Sequence, residues 1–98
     1  MNEIITTNHF DRWLENLRDD KALVAIDKRI HKAQFGNFGK VRFITNGIWE
    51  MKIDVSGGYR IYYKQVGKIT YLLIIGGNKT SQNRDISKAL EIIKELGI

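Results

Sequence analysis

Cysteine and proline are both missing from this chain of 98 residues, and histidine occurs only twice. Without cysteine there are no disulfides and no thiolate metal sites, which fits a reducing cytoplasm. Without proline no loop is stiffened by a locked ring, and no slow prolyl isomerisation is expected. Long apolar runs are missing too. No stretch approaches the length of a membrane span, and the N-terminus lacks a signal-peptide core, so a cytoplasmic protein with no membrane partner is expected. The length suits one domain, residues 1–98, whose 43% apolar residues can fill a single core of two layers. A separate cofactor domain does not fit, and neither cofactor nor metal is expected.

Charge is plentiful and unevenly spread. Between Lys21 and Arg84 stand 12 basic residues and three acidic ones, Asp27, Glu50 and Asp54, while the two ends together hold 4 basic and 8 acidic residues. Segregation of that kind builds a positive surface from the middle of the chain, suited to a polyanion. The plainer alternative is a charged surface that serves solubility.

Residues 1–7 read as an extended lead-in. Asn8 is the expected N-cap of a first helix of about three turns, with Asp11 favouring its N-terminus and Phe10, Trp13, Leu14 and Leu17 at helical spacing. Asp19-Asp20 closes it and caps a second helix. There Leu23, Ile26, Ile30 and Ala33 form the apolar stripe, and Lys28, Arg29 and Lys32 take the wetter side. The short join predicts an antiparallel helix pair. Gly36-Asn37-Phe38-Gly39 ends the second helix.

Beyond that loop the period changes to two. Met51, Ile53 and Val55 alternate with Glu50, Lys52 and Asp54, the pattern of a strand wet on one face. Tyr59 to Val66 is a second strand, Gly67-Lys68 suits a tight hairpin, and Ile69 to Ile75 reads as the buried strand at the sheet's centre, ended by Gly76-Gly77-Asn78. Ile86, Ala89, Leu90, Ile93 and Leu96 return to helical spacing, with Gly97 as the stop. The predicted class is α+β: an N-terminal helical hairpin packed on a three- to four-stranded antiparallel sheet, then a C-terminal helix.

Register decides which charges meet. A three-residue Ser56-Gly57-Gly58 loop places Val55 opposite Tyr59, Asp54 opposite Arg60, Lys52 opposite Tyr62 and Glu50 opposite Lys64. A two-residue turn would instead put Arg60 among Met51, Ile53 and Val55, a slip that the apolar face resists. The wider loop gathers Glu50, Lys52, Arg60, Tyr62 and Lys64 on one polar face. Through the Gly67-Lys68 hairpin Arg60 comes level with Ile75, so that Lys79 in the next loop converges on it.

Those groups suit RNA cleavage. The 2′-hydroxyl must lose a proton, charge on the phosphorane-like transition state must be stabilised, and the 5′-oxygen must be helped to leave. Arg60 fits the second task because its planar fork pairs two phosphate oxygens. Lys79 or Lys52 offers a compact charge, and Glu50 or a lysine serves as the candidate base. Lys40, Arg42, Tyr62, Lys64, Gln82 and Arg84 are the remaining candidates for holding RNA. Each has a duller reading: Arg60 pairing with Asp54 across the strands, Tyr62 packing in the sheet, Glu50 neutralising Lys52 and Lys64, and Lys79 as a solvated loop lysine.

Three segments carry a likeness. Ile48-Trp49-Glu50-Met51-Lys52-Ile53, Gly58-Tyr59-Arg60-Ile61-Tyr62-Tyr63, and Gly76-Gly77-Asn78-Lys79-Thr80-Ser81-Gln82 with Asp85-Ile86 together resemble the RelE/HigB-like toxins of type II toxin–antitoxin modules. The nearest branch is that of the phage-type addiction-module killer proteins. The resemblance implies a RelE/ParE-like fold and an endoribonuclease that cuts mRNA on the ribosome without metal. It also implies a cognate antitoxin, often a small helix-turn-helix protein. Arg60 matches the catalytic strand arginine, and Lys52 and Lys79 match basic positions. Glu50 stands where some relatives have a lysine, and Asp85 stands near the place of a C-terminal tyrosine or histidine. A runner-up shares the fold with a different action: a ParE-like toxin that binds DNA gyrase and cuts nothing. A degenerate toxin kept as a binding module is a third.

Overall fold

The shift from helical to two-residue spacing reappears in the computed structural model, which describes residues 1–98. In chain order the elements are β1 (Glu3–Thr6), α1 (Asn8–Glu15), α2 (Asp20–Gln34), β2 (Val41–Thr45), β3 (Ile48–Ile53), β4 (Tyr59–Gln65), β5 (Thr70–Asn78) and α3 (Gln82–Leu96). A single 3₁₀ turn, Lys79–Ser81, joins β5 to α3. The class is α+β, but the sheet has five strands in the order β1-β5-β4-β3-β2, with β1 parallel to β5 and the other neighbours antiparallel. An antiparallel sheet of three or four strands was expected. The lead-in is the difference: Glu3 to Thr6 pair with Thr70 to Leu73 and make an edge strand too short to show a period.

Helix caps follow the chemistry of short oxygen-bearing side chains. Thr7, one residue before the expected Asn8, caps α1: its Oγ1 accepts from the Phe10 N–H and donates to the Ile74 carbonyl, tying the helix start to β5. The helix has two turns rather than three. Asp19 caps α2, accepting from the Ala22 N–H and from the Tyr59 hydroxyl. Hydrogen bonds from the Ser56 hydroxyl, from Ala22 and from Tyr59 hold its carboxyl below the ordinary range. The two helices do not chiefly pack on each other as a hairpin would. The principal neighbour of α1 is β5, and those of α2 are β1 and β3.

Both faces of the sheet are covered. On one, Met51, Ile53, Ile61, Tyr63 and Leu73 bury against Phe10, Ala22 and Ile26 of the N-terminal helices. On the other, Ile48, Tyr62, Leu72 and Ile74 bury against Ala89, Ile92 and Ile93 of α3. That explains why β5 is nearly continuous in apolar residues instead of alternating. It is an interior strand, though β4 holds the middle. Gly76 and Gly77 lie inside β5 and do not end it, because each passes beneath a side chain. A Cβ on Gly76 would stand 2.3 Å from the Trp13 ring, and one on Gly77 would stand 1.7 Å from Asp85 Oδ2.

In both hairpins the partner of Arg60 lies two residues from the one expected. Ile53, not Val55, pairs with Tyr59, and Lys52, not Asp54, pairs with Arg60. Ser56, Gly57 and Gly58 all take positive φ, and the loop they close spans residues 54–58. A shift of two preserves the faces, so the polar set stays together. Arg60 pairs with Gly77 in place of Ile75, because β5 carries an extra residue, Ile74, opposite Tyr62/Tyr63 and the loop between the strands is wider than two residues. The β2–β3 turn is Asn46-Gly47, both at positive φ, as a tight hairpin between right-twisted strands requires.

Candidate functional site

On the α3 side of the sheet, the helix covers Ile48, Tyr62, Leu72 and Ile74 and leaves the other end of β3 and β4 uncovered. There a cleft of about 410 Å³ opens between the edge strand β2 and the first turn of α3. Lys40, Arg42, Glu50, Lys52, Arg60 and Gln82 line it, with Val41 the one apolar contributor. Pairing explains the gathering. Arg42 lies opposite Glu50, Glu50 opposite Tyr62, and Lys52 opposite Arg60, while the Lys52 N–H donates to the Lys40 carbonyl and draws that residue alongside.

At its floor is a buried ion pair. Arg60 is 7% exposed and Glu50 4%, and Arg60 Nε stands 3.6 Å from Glu50 Oε1, too long for a hydrogen bond. The other carboxylate oxygen accepts from Gln82 Nε2 at 2.7 Å and from Arg42 Nη2 at 3.4 Å. Arg60 Nε and Nη1 are buried without any acceptor. A guanidinium in that state is costly, since unmade hydrogen bonds to a buried charge forfeit its desolvation free energy. At the rim, Asp54 lies 3.7 Å from Lys40 Nζ and 3.9 Å from Lys52 Nζ, an exposed arrangement worth little to stability. Four cations thus surround one buried and one exposed carboxylate.

Asp85 completes the buried charges. It sits over Gly77, accepts from Ser81 Oγ at 2.5 Å, and belongs to the first turn of α3, where the helix dipole favours a carboxylate. Strand pairing puts Gly77 beside Arg60, so Asp85 flanks the cleft floor. Its position was legible in the motif, but its burial depends on the glycine beneath it.

No family model matches the chain. It is 41% identical over 96 residues to an uncharacterized protein of Haemophilus influenzae (strain ATCC 51907 / DSM 11121 / KW20 / Rd), an alignment that takes in 98% of this chain and 97% of that one. The chain belongs to that protein's family.

Not every predicted residue reaches the cleft. Lys79 is exposed in the turn after β5 and does not line it; Lys40 and Lys52 are the lysines that do. Tyr62 shares the face of Arg60 but is 0% exposed beneath α3, so it offers no ring for a base to stack on. Its hydroxyl is buried without a partner in good geometry, and burial together with the Glu50 carboxylate pushes it well above the ordinary tyrosine range. Lys64 lies at the far end of β4, against Gly47 and beside Leu90 and Lys94. Arg84 is exposed on α3 outside the cleft. Asp54 does not pair with Arg60; Glu50 does. Arg29, expected on the wetter side of α2, instead donates to the Phe38 and Lys52 carbonyls and anchors the loop before β2. Neither histidine is near: His9 borders a hollow with Ile92 and Glu95, and His31 packs edge-on to Phe35. A larger hollow of about 470 Å³, walled by Phe38, Trp49, Tyr63 and Tyr71, occupies the other face. It has no acidic or basic lining, in contrast to the smaller cleft.

Proposed function

We propose that the chain is a RelE/HigB-like toxin with a RelE/ParE-like fold, an endoribonuclease that cuts mRNA on the ribosome through the 2′-hydroxyl and is neutralised by a cognate antitoxin. The observation that carries this reading is Arg60. A buried guanidinium whose Nε and Nη1 have no hydrogen-bond acceptor, in the lining of a cleft that also holds Lys40, Arg42 and Lys52, suits an anionic oxygen ligand. The element order, two helices, a sheet and a closing helix, is in keeping with the resemblance of the β3, β4 and β5 segments to those toxins.

Within this reading Arg60 faces the scissile phosphate and stabilises charge as the phosphorane forms. Lys52, directly opposite on β3, is the second cation and takes the role first given to Lys79. Lys40 and Arg42 hold flanking phosphates. Glu50 is a poor base, because both of its oxygens already face donors. The gyrase-binding alternative has no comparable feature behind it, since binding a protein surface does not call for orphaned guanidinium donors on a sheet floor.

The test is cleavage in a translating extract, read by mapping new 5′ ends on the message. Wild-type protein should produce discrete cuts. Arg60→Lys, which keeps the charge but loses the fork, should lower the rate about 100-fold or more. Equal cutting by the two proteins would remove Arg60 from the chemistry, and DNA supercoiling failing before translation would favour the gyrase reading.

A further inference from the structure

Glu50 is an unusual occupant for a phosphate cleft. Its carboxylate is 4% exposed, lines the cleft, and touches the groups an incoming phosphate needs: Arg60 at 3.6 Å, Arg42 at 3.4 Å and Gln82 at 2.7 Å. Any anion drawn to Arg60 in the cleft therefore settles within a few ångströms of a negative charge already in place. Resting on the phosphodiester reading above, we propose that Glu50 is a specificity residue, which tunes the cleft to singly charged phosphodiesters and against doubly charged phosphate monoesters.

The physical reason is a matter of charge number. An internal nucleic-acid phosphate carries one negative charge. A terminal monoester carries nearly two above its second ionisation, near pH 6. Lys40, Arg42, Lys52 and Arg60 by themselves would favour the dianion, since attraction grows with ligand charge. Attraction and repulsion both grow in step with ligand charge, while the cost of shedding water grows as its square, so once Glu50 has cut the net attraction the dianion loses most. Chain interiors are then preferred to chain ends. A product bearing a 2′,3′-cyclic phosphate, still a monoanion, would stay longer than one bearing an opened monoester. Gln82 and Arg42 keep the carboxylate in place, because both hold Oε2 while Arg60 faces Oε1.

Two small probes separate the cases: dimethyl phosphate, a monoanion, and methyl phosphate, a dianion at pH 8. Each is titrated into the full chain while the backbone amides of Arg60, Gly77 and Gln82 are followed by NMR. Wild-type protein should bind dimethyl phosphate more tightly despite its lower charge. In Glu50→Gln, which keeps shape and removes charge, the ratio of affinities should move about tenfold or more toward methyl phosphate. A wild-type preference for methyl phosphate, or an unchanged ratio in Glu50→Gln, overturns the assignment. The wild-type comparison stands alone if the variant does not fold. Binding of dimethyl phosphate without any preference sinks the role of Glu50 and leaves the phosphodiester site intact. If neither probe moves those amides, both fall together.

Discussion

Adding one methyl group at Gly77 tests how the cleft floor is built. The Cβ of Gly77→Ala would fall 1.7 Å from Asp85 Oδ2, 2.6 Å from its carboxyl carbon and 2.9 Å from Ser81 Oγ. Atoms cannot approach so closely, so Asp85 must swing away or β5 must move. Swinging away breaks the Ser81 hydrogen bond and re-aims a carboxylate that is only 8% exposed. Overpacking of this kind costs about 1–3 kcal/mol, and disturbing a buried hydrogen-bonded polar group adds about 1–3 kcal/mol. A loss of roughly 2–6 kcal/mol is expected, a large share of the roughly 5–15 kcal/mol that holds a domain this size together. Urea unfolding with an unchanged slope would measure it. The double variant Gly77→Ala, Asp85→Ala should recover much of the loss, because the methyl group then occupies space the carboxylate vacated. A loss below about 1 kcal/mol in the single variant, or strict additivity in the double, would refute the close approach.

The remaining predictions concern stability, pH and salt. Burial pushes the Tyr63 hydroxyl up to about 12, with the neighbouring Tyr71 adding to the shift. A folded value raised above the unfolded one gives stability that is complete below about pH 10 and lost as pH climbs toward 12, a fall of about 2–3 kcal/mol. Tyr63→Phe should flatten part of that alkaline decline in pH-dependent melts; an identical profile would contradict it. Thr7→Val removes both the α1 cap and the bond to the Ile74 carbonyl at constant volume, which should cost about 1–3 kcal/mol in thermal unfolding. Single-stranded RNA binding should weaken steeply with salt. Lys40→Ala, Arg42→Ala and Lys52→Ala should each reduce the log–log slope by about 0.7, whereas Lys64→Ala should leave it unchanged.

Much of this protein follows from residue order alone. Helical spacing from Phe10 to Leu17 and from Leu23 to Ala33 marks two helices, and alternation from Glu50 to Val55 marks a strand with one wet face. Such patterns are local, because each element must turn its apolar residues to one side. That same parity set Glu50, Lys52, Arg60 and Tyr62 on a common face even though the pairing was two residues off. Asn46-Gly47 carries a hairpin signal too, but the expected arrangement did not use it and took Gly36–Gly39 as the one loop of the first half. Tertiary structure alone decided the rest. The strand Glu3–Thr6 exists only because β5 offers it a free edge. Tyr62 became core and Lys52 became cleft because α3 lies over one end of their shared face and not the other. Glu50 met Arg60 instead of Lys64 because three residues at positive φ widened a loop. Which way a side chain points is a property of a few neighbouring residues. What it meets there depends on distant segments arriving from elsewhere in the chain.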